Sequence, residues 1–259
     1  MTKSDTDDAG ARAFEQVASG VYRRTEPEVV WQALQYAVRN ELMVKNPTIM
    51  ILFIRVAEVY AAIRDDLAGR RAESDAQEAA AIKLILEPPP ELRNGAYLPD
   101  AIQSPGEMDL VWGEFLVTGD TNVIKRVVQV LDRDDLTREF IDQRLQESNP
   151  DSLTLSDDER TSLAQVGVTL GLEADPGPDV VLSDGDIDIL LWFGVKNGNA
   201  VCTKILNAQP EAMKIHVANK GAAIWSLQAN SQQHGSIRLL CEEEAKRPGG
   251  FGRQLILSH

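Results

Sequence analysis

The chain has few cysteines, few histidines and few aromatic residues for its length. Its 259 residues include two cysteines and three histidines, and aromatic side chains make up 5% of the total. Cys202 and Cys241 are too far apart for a C-x-x-C pair, so neither a disulfide framework nor a zinc knuckle is indicated. His216, His234 and His259 lack the i, i+4 spacing of metal ligands on one helix face. We therefore expect no metal and no cofactor.

Basic side chains are also scarce. The chain has 26 Lys and Arg residues against 40 Asp and Glu residues, a formal charge of −14. This charge repels the phosphates of nucleic acids and of anionic membranes, so we expect neither as a partner. The simplest explanation of the acidity is a solubilising surface, and a more specific one is a basic protein partner.

Long apolar runs are missing as well. The most apolar window, residues 49–63, is interrupted by Arg55 and Glu58 and is shorter than the roughly 20 residues of a membrane helix. The first ten residues, MTKSDTDDAG, contain no hydrophobic core of a secretory signal. These features predict a buried helix over the window and a cytoplasmic protein.

Helical periodicity is the strongest positive signal. Apolar residues recur at intervals of three and four in two stretches separated by Asn46-Pro47. These residues are Trp31, Leu34, Val38 and Leu42, followed by Phe53, Val56, Tyr60, Ile63 and Leu67. The pattern predicts two helices that form an antiparallel hairpin, the second continuing without a break through about four turns.

Capping residues then mark a third helix and a long connection. Ser74, with Gln77 three residues later, predicts a helix start, and this helix ends at Glu87 before three prolines. Residues 88–104 are rich in proline and include an Asn94-Gly95 turn signal. We interpret this segment as a linker in preference to a binding loop.

The second half of the chain repeats one pattern of helix ends and helix starts. Ser104-Pro105 opens a helix, and Gly119 with Asp120 closes it and caps the next one. Gly198 and Asn199 are predicted to do the same 79 residues later. A further helical pair follows, with Ala222–Ala229 in its first helix and Ser236–Glu244 in its second. The four tryptophans, Trp31, Trp112, Trp192 and Trp225, are expected to fill space in the core and not to line a ligand site.

Several acidic clusters are explained by helix starts. Residues 184–188, 157–159 and 134–135 each lie where a first helical turn is predicted, and carboxylates there complement the helix dipole. The first of them does not fit the EF-hand spacing. Proximity of Ser226 or Cys241 to His234 in sequence is not evidence of a catalytic pair. We nominate no catalytic, cofactor-binding or metal-binding residue.

The alternation of helix, Gly-Asp or Gly-Asn and helix over residues 104–245 resembles the α-solenoid proteins of the tetratricopeptide and HEAT type. The stretch MDLVWGEF at residues 108–115, continuing to Thr118-Gly119-Asp120, is similar to uncharacterised bacterial helical-hairpin proteins. The first resemblance implies stacked helical hairpins, and the second implies no activity.

The predicted fold is therefore all-α, an irregular α-solenoid-like stack of antiparallel helical hairpins. We divide it into an N-terminal helical layer (1–87), a proline-rich connection (88–104), a hairpin array (105–246) and a C-terminal tail (247–259). The tail is expected to fold back as a cap, or else to dock on a partner.

The predicted function is that of a non-enzymatic interaction module that binds or inhibits a basic protein. The alternatives are an enzyme with a non-sequential site in a cleft near residues 87–104, and a structural subunit. The oligomeric state stays open.

Overall fold

The computed structural model describes residues 3–131, 191–207 and 211–246. All the regular secondary structure in these ranges is helical, without a β-strand, which confirms the all-α prediction. Within the same ranges, no helix combines the length and the apolar character needed to cross a bilayer.

Two compact units make up the chain. One unit comprises residues 1–100 and 106–124, and the other comprises residues 101–105 and 125–259. This division places most of the helix that follows the proline-rich connection with the N-terminal helices, whereas the sequence-based division begins a new segment at residue 105.

The first unit is a group of helices around one apolar core. The helices are α1 (Lys3–Ala18), α2 (Pro27–Arg39), α3 (Leu42–Lys45), α4 (Pro47–Val59), α5 (Ala61–Arg70), α6 (Ala76–Leu86) and α7 (Pro105–Thr118), with 3-10 turns at Val21–Arg23 and Pro90–Leu92. α1 packs along α2, and α4 packs on α6. Val17, Leu34 and Phe53 are completely buried between these helices. The apolar periodicity of the sequence thus identifies the core faces correctly.

The second unit contains shorter described parts. α8 (Thr121–Leu131) crosses from one unit to the other, a helical segment covers residues 191–196, and α9 (Ala200–Asn207), α10 (Glu211–Gln233) and α11 (Gly235–Ala245) follow. α10 and α11 pack on each other and are joined by the single residue His234. This hairpin is the predicted terminal pair.

The turns predicted from glycine are present. Gly119 and Gly198 have φ angles of 71° and 77°, the left-handed conformation that ends a helix at low cost for glycine. Asp120 accepts a hydrogen bond from the backbone N–H of Asn122, and Asn199 accepts one from that of Cys202. Both caps therefore act as the sequence pattern predicts.

Three local predictions were wrong. The helix predicted to run unbroken through residue 60 stops there, because Tyr60 adopts an extended backbone and its hydroxyl donates to the carbonyl of Val117 at 2.7 Å. The predicted hairpin of α2 and α4 does not form: α2 packs against α1, α3, α5 and α6, and α4 packs against α3, α5 and α6. The cap of α6 is Asp75, which accepts from two backbone N–H groups, whereas the hydroxyl of Ser74 donates back to Arg70.

Candidate functional site

A cluster of charged and polar side chains lies where α4, α7 and the proline-rich connection meet. The Arg55 cluster, as we call it, consists of Arg55 and Glu58 from α4, Glu114 from α7, and Asn94 and Tyr97 from the connection. Arg55 donates from Nε to Glu114 Oε2 at 2.8 Å and from Nη2 to Glu114 Oε1 at 2.9 Å. Its Nη1 donates to Glu58 at 3.1 Å.

The connection is attached to this ion pair at two points. The Tyr97 hydroxyl donates to Glu114 Oε2 at 2.8 Å, and the backbone N–H of Asn94 donates to the Glu58 carboxylate at 3.0 Å. Asn94 and Gly95 both have positive φ angles, so the predicted Asn-Gly turn is what brings this N–H to Glu58. The connection is therefore held on the helices by charge-assisted hydrogen bonds.

The electrostatics of the cluster are those of a closed network. The hydrogen bond that Arg55 donates to Glu114 is the largest effect that raises the pKa of Arg55, so the guanidinium stays charged. Burial raises the pKa of Tyr97 well above its usual range, and the nearby Glu114 carboxylate adds to this shift. Each charge faces an opposite charge or a hydrogen-bond donor. The cluster suits a structural clamp better than a general base, which needs a carboxylate free to accept a proton from a substrate.

Sequence reasoning found Arg55 and Glu58 but missed their role. The sequence shows them as two charges inside an apolar window, and in the structure Glu58 binds the connection while Arg55 pairs with Glu58 and Glu114. Two charges three residues apart in an otherwise apolar helix were the signal that could have suggested a buried ion pair. Their partner Glu114 is 59 residues away in sequence, and no local pattern identifies it.

The candidate nucleophiles are not activated. Burial raises the pKa of Cys241 to about 11, with smaller contributions from Glu244 and Glu242, so the thiol is protonated at neutral pH. Burial also raises the pKa of Cys202. The hydroxyl of Ser226 donates to the carbonyl of Ala223 in its own helix at 3.1 Å. These environments give no support to nucleophilic catalysis.

A second polar group is buried along α10. His216, Asn219 and Lys220 occupy neighbouring positions at spacings of three and four, and all three are buried. Asn219 donates from Nδ2 to the backbone carbonyl of Gln103 at 2.6 Å. This hydrogen bond connects the segment 101–105 to α10 within the second unit.

The tryptophans do not all behave as core residues. Trp31 and Trp112 are buried, and Trp192 packs against Gly221. Trp225 was also predicted to fill the core, but 56% of its surface is exposed. It lies on an accessible side of α10.

Exposed apolar side chains occur on α11 too. Leu239 is 58% exposed, and Glu242 and Glu243 lie three and four residues after it, one turn further along the same side of the helix. Glu242 lies 3.9 Å from Arg238, while Glu243 is exposed. The outward side of α11 thus combines an apolar anchor with carboxylates.

Other sequence candidates fall outside the described residues. These are the acidic clusters 134–135, 157–159 and 184–188, the residue His259, and the tail 247–259. Within the described ranges, no group of three or more His, Cys, Asp or Glu side chains is arranged to hold a metal ion.

Comparisons with protein-family models, with curated proteins and with solved structures find no match to this chain.

Proposed function

We propose that this chain is a non-enzymatic protein-interaction module, an irregular α-solenoid-like stack of helical hairpins that binds a basic protein partner. The observation that carries this proposal is the outward side of α11. There the exposed side chain of Leu239 is followed, one turn later, by the carboxylates of Glu242 and Glu243.

This combination suits a partner segment with one apolar anchor and flanking cations. Burial of a leucine side chain contributes about 1.5–3 kcal/mol, which makes Leu239 the main source of affinity. The two carboxylates and the net charge of −14 attract a basic partner and accelerate its association. The partner would be recognised by charge at a distance and by the leucine on contact.

The enzyme alternative has weaker support. It requires a cleft near residues 87–104 with polar groups free to act on a substrate. Arg55, Glu58 and Glu114 converge at this place, but they are engaged with each other and with the connection. A clamp of this kind fits an interaction module, because it keeps a long connection from disturbing the helical surface.

A cytoplasmic location is part of the proposal. Cys202 and Cys241 are both free thiols, as is usual for proteins of a reducing compartment.

The experiment is a comparison of affinity captures from a lysate of the source organism. The baits are the wild-type chain, an L239S variant and an E242Q/E243Q variant, each used at low and at high salt. We expect one protein of high pI to be captured by the wild type at low salt. Its capture should fall with L239S at both salt concentrations, and with E242Q/E243Q mainly at low salt, because salt screens exposed charges.

The matched control is V44S. Val44 is an exposed apolar residue on α3, in the other unit, and its substitution should leave the capture unchanged. A captured protein that is retained equally by all four baits, or that is insensitive to salt, would contradict the proposed function.

A further inference from the structure

One accessible side of α10 carries a row of apolar residues. Val217, Ala223, Ile224 and Leu227 are completely buried, and the opposite positions remain accessible. The accessible apolar positions follow each other at alternating intervals of three and four residues. They are Ile215, Ala218, Ala222, Trp225 and Ala229, which we call the α10 row.

This spacing is that of a coiled-coil seam, in which apolar residues alternate every three and four positions and pack into the spaces of a facing helix. The α10 row has large residues toward its two ends, Ile215 and Trp225, and small ones at its centre, Ala218 and Ala222. Small central residues allow two helices to approach closely. The bulky residue at each end of the row then needs a side chain of the facing helix to pack against. A second helix is the shape that fits this row.

The two ends of the row carry opposite charges. Near Trp225, the Nζ of the exposed Lys196 lies 5.6 Å from the indole centroid, and it is also 4.7 Å from that of Trp192. At the other end, Glu211 lies one turn before Ile215, and its side chain is largely exposed although Lys214 Nζ is 3.8 Å away. One end of the row thus carries an exposed lysine, and the other an exposed glutamate beside the less exposed Lys214.

We propose that the α10 row is a self-association seam, occupied by α10 of a second copy in antiparallel orientation. A two-fold axis near residue 220 places Ala218 opposite the second copy's Ala222 and Trp225 opposite its Ile215. Lys196 then lies beside the second copy's Glu211, and the same contacts recur at the other end. Such a self-complementary patch is what a two-fold symmetric dimer requires.

Charge and shape together favour this occupant over other helices. An antiparallel copy supplies an isoleucine for each tryptophan and a carboxylate for each lysine. A parallel copy would set Lys196 against Lys196 and Glu211 against Glu211. This inference concerns a different helix from the one in the proposed function and does not depend on it.

The size of the seam determines the strength of the dimer. From Ile215 to Ala229 the row is about 21 Å long, on a helix about 10 Å wide. This is less than the roughly 800 Å² per partner that a standard stable interface buries. The dimer should therefore be weak, with a population that depends on concentration.

The first experiment is sedimentation equilibrium over a range of concentrations up to about 1 mM, where even a weak complex is populated. The ionic strength is physiological, so that the repulsion between two chains of charge −14 is screened. We expect the average mass of the wild type to rise from 28.5 kDa toward twice that value. W225E and A222K should remain at 28.5 kDa at every concentration.

The matched control for these variants is V44E, which adds a charge at an exposed apolar position outside the α10 row and outside the proposed partner surface. It should dimerise like the wild type. The inference is overturned if the wild type stays monomeric throughout the range, or if W225E and A222K dimerise as the wild type does. If the α10 row does not mediate dimerisation, the capture experiment on α11 still tests the proposed function independently.

The second experiment tests orientation by charge reversal. K196E and E211K should each reduce the association constant about tenfold, since each sets like charges against each other. The double variant K196E/E211K restores the opposite-charge contacts with their signs exchanged, and most of the association should return. If the double variant associates no better than the weaker of the single variants, the antiparallel pairing is wrong.

Discussion

Arg55 and Glu114 form two parallel hydrogen bonds, at 2.8 and 2.9 Å, between the helices α4 and α7. They are the centre of the cluster that also holds Tyr97 and the turn at Asn94. Since Glu114 is buried, removal of its carboxylate leaves a guanidinium with one remaining acidic partner, Glu58.

The first prediction is that E114A lowers the free energy of unfolding of the first unit by about 3 kcal/mol, the cost of removing one partner of a buried ion pair. Urea denaturation gives this value. The control is E41A, which removes the exposed ion pair between Glu41 and Lys45 and should change stability by less than about 1 kcal/mol. Equal effects of the two variants would mean that the Arg55 cluster does not clamp the fold.

The second prediction concerns the tyrosine of the cluster. Y97F removes a hydrogen bond to a carboxylate and should cost about 2 kcal/mol at neutral pH. In limited proteolysis, the Y97F variant should also be cleaved within residues 88–104 at lower protease concentrations than the wild type. Y36F is the control, because the contact of Tyr36 with Phe14 is between rings and is kept by phenylalanine.

The alkaline pH dependence gives an independent test of the same residue. The pKa of Tyr97 is raised in the folded protein, so the neutral phenol is favoured there, whereas the unfolded chain releases the proton near pH 10. The stabilising contribution is therefore complete below about pH 10 and is lost as the pH rises above it. The free energy of unfolding of the wild type should fall more steeply above pH 10 than that of Y97F. Parallel curves would contradict the buried position of the hydroxyl.

The features that could be predicted from sequence are those determined over a few residues. Gly119 and Gly198 end helices because glycine adopts positive φ without steric cost, and Asp120 and Asn199 cap the next helices with their own side chains. The core faces follow from apolar periodicity. Such signals are independent of distant parts of the chain.

The features that could not be predicted depend on distant contacts. Tyr60 interrupts a periodic helix because its hydroxyl reaches Val117, 57 residues later. The exposure of Trp225 could not be predicted, because the apolar residues of α10 occur on every side of the helix. Apolar periodicity therefore does not indicate which side of this helix faces solvent. In the same way, the partner of Arg55 becomes evident when α4 and α7 are seen together.

The third prediction is that the Cys241 thiol titrates near pH 11. Burial and the neighbouring Glu244 and Glu242 disfavour the thiolate, so the folded pKa of about 11 lies above that of an ordinary cysteine. The thiol thus stabilises the fold below about pH 8.5, and this contribution is lost between there and pH 11. In a C202S background, thiolate absorbance should appear near pH 11. The reference is C202S/C241S, and a step near pH 8.5 would show an accessible thiol.

The last prediction compares two helical glycines with opposite surroundings. Apart from its chain neighbours and the backbone of its own helix, no atom lies within 4 Å of the position that a Cβ would take at Gly113, whereas at Gly221 that position is occupied by the indole of Trp192. Alanine is favoured over glycine in a helix by about 1 kcal/mol, so G113A should raise the free energy of unfolding by up to that amount. G221A gains the same helix propensity but forces Trp192 to move. Its free energy of unfolding should therefore be about 1–3 kcal/mol lower than that of the wild type.

A double-mutant cycle separates the steric cause from a loss of helix. W192L removes the ring that occupies the space above Gly221, so G221A should be neutral or stabilising in that background, as G113A is in the wild type. Urea denaturation of the four chains gives the coupling energy, which should exceed about 1 kcal/mol. A coupling energy near zero would mean that Trp192 does not pack on Gly221. The indole would then not hold Lys196 beside Trp225, and the basic end of the α10 row would lose its support.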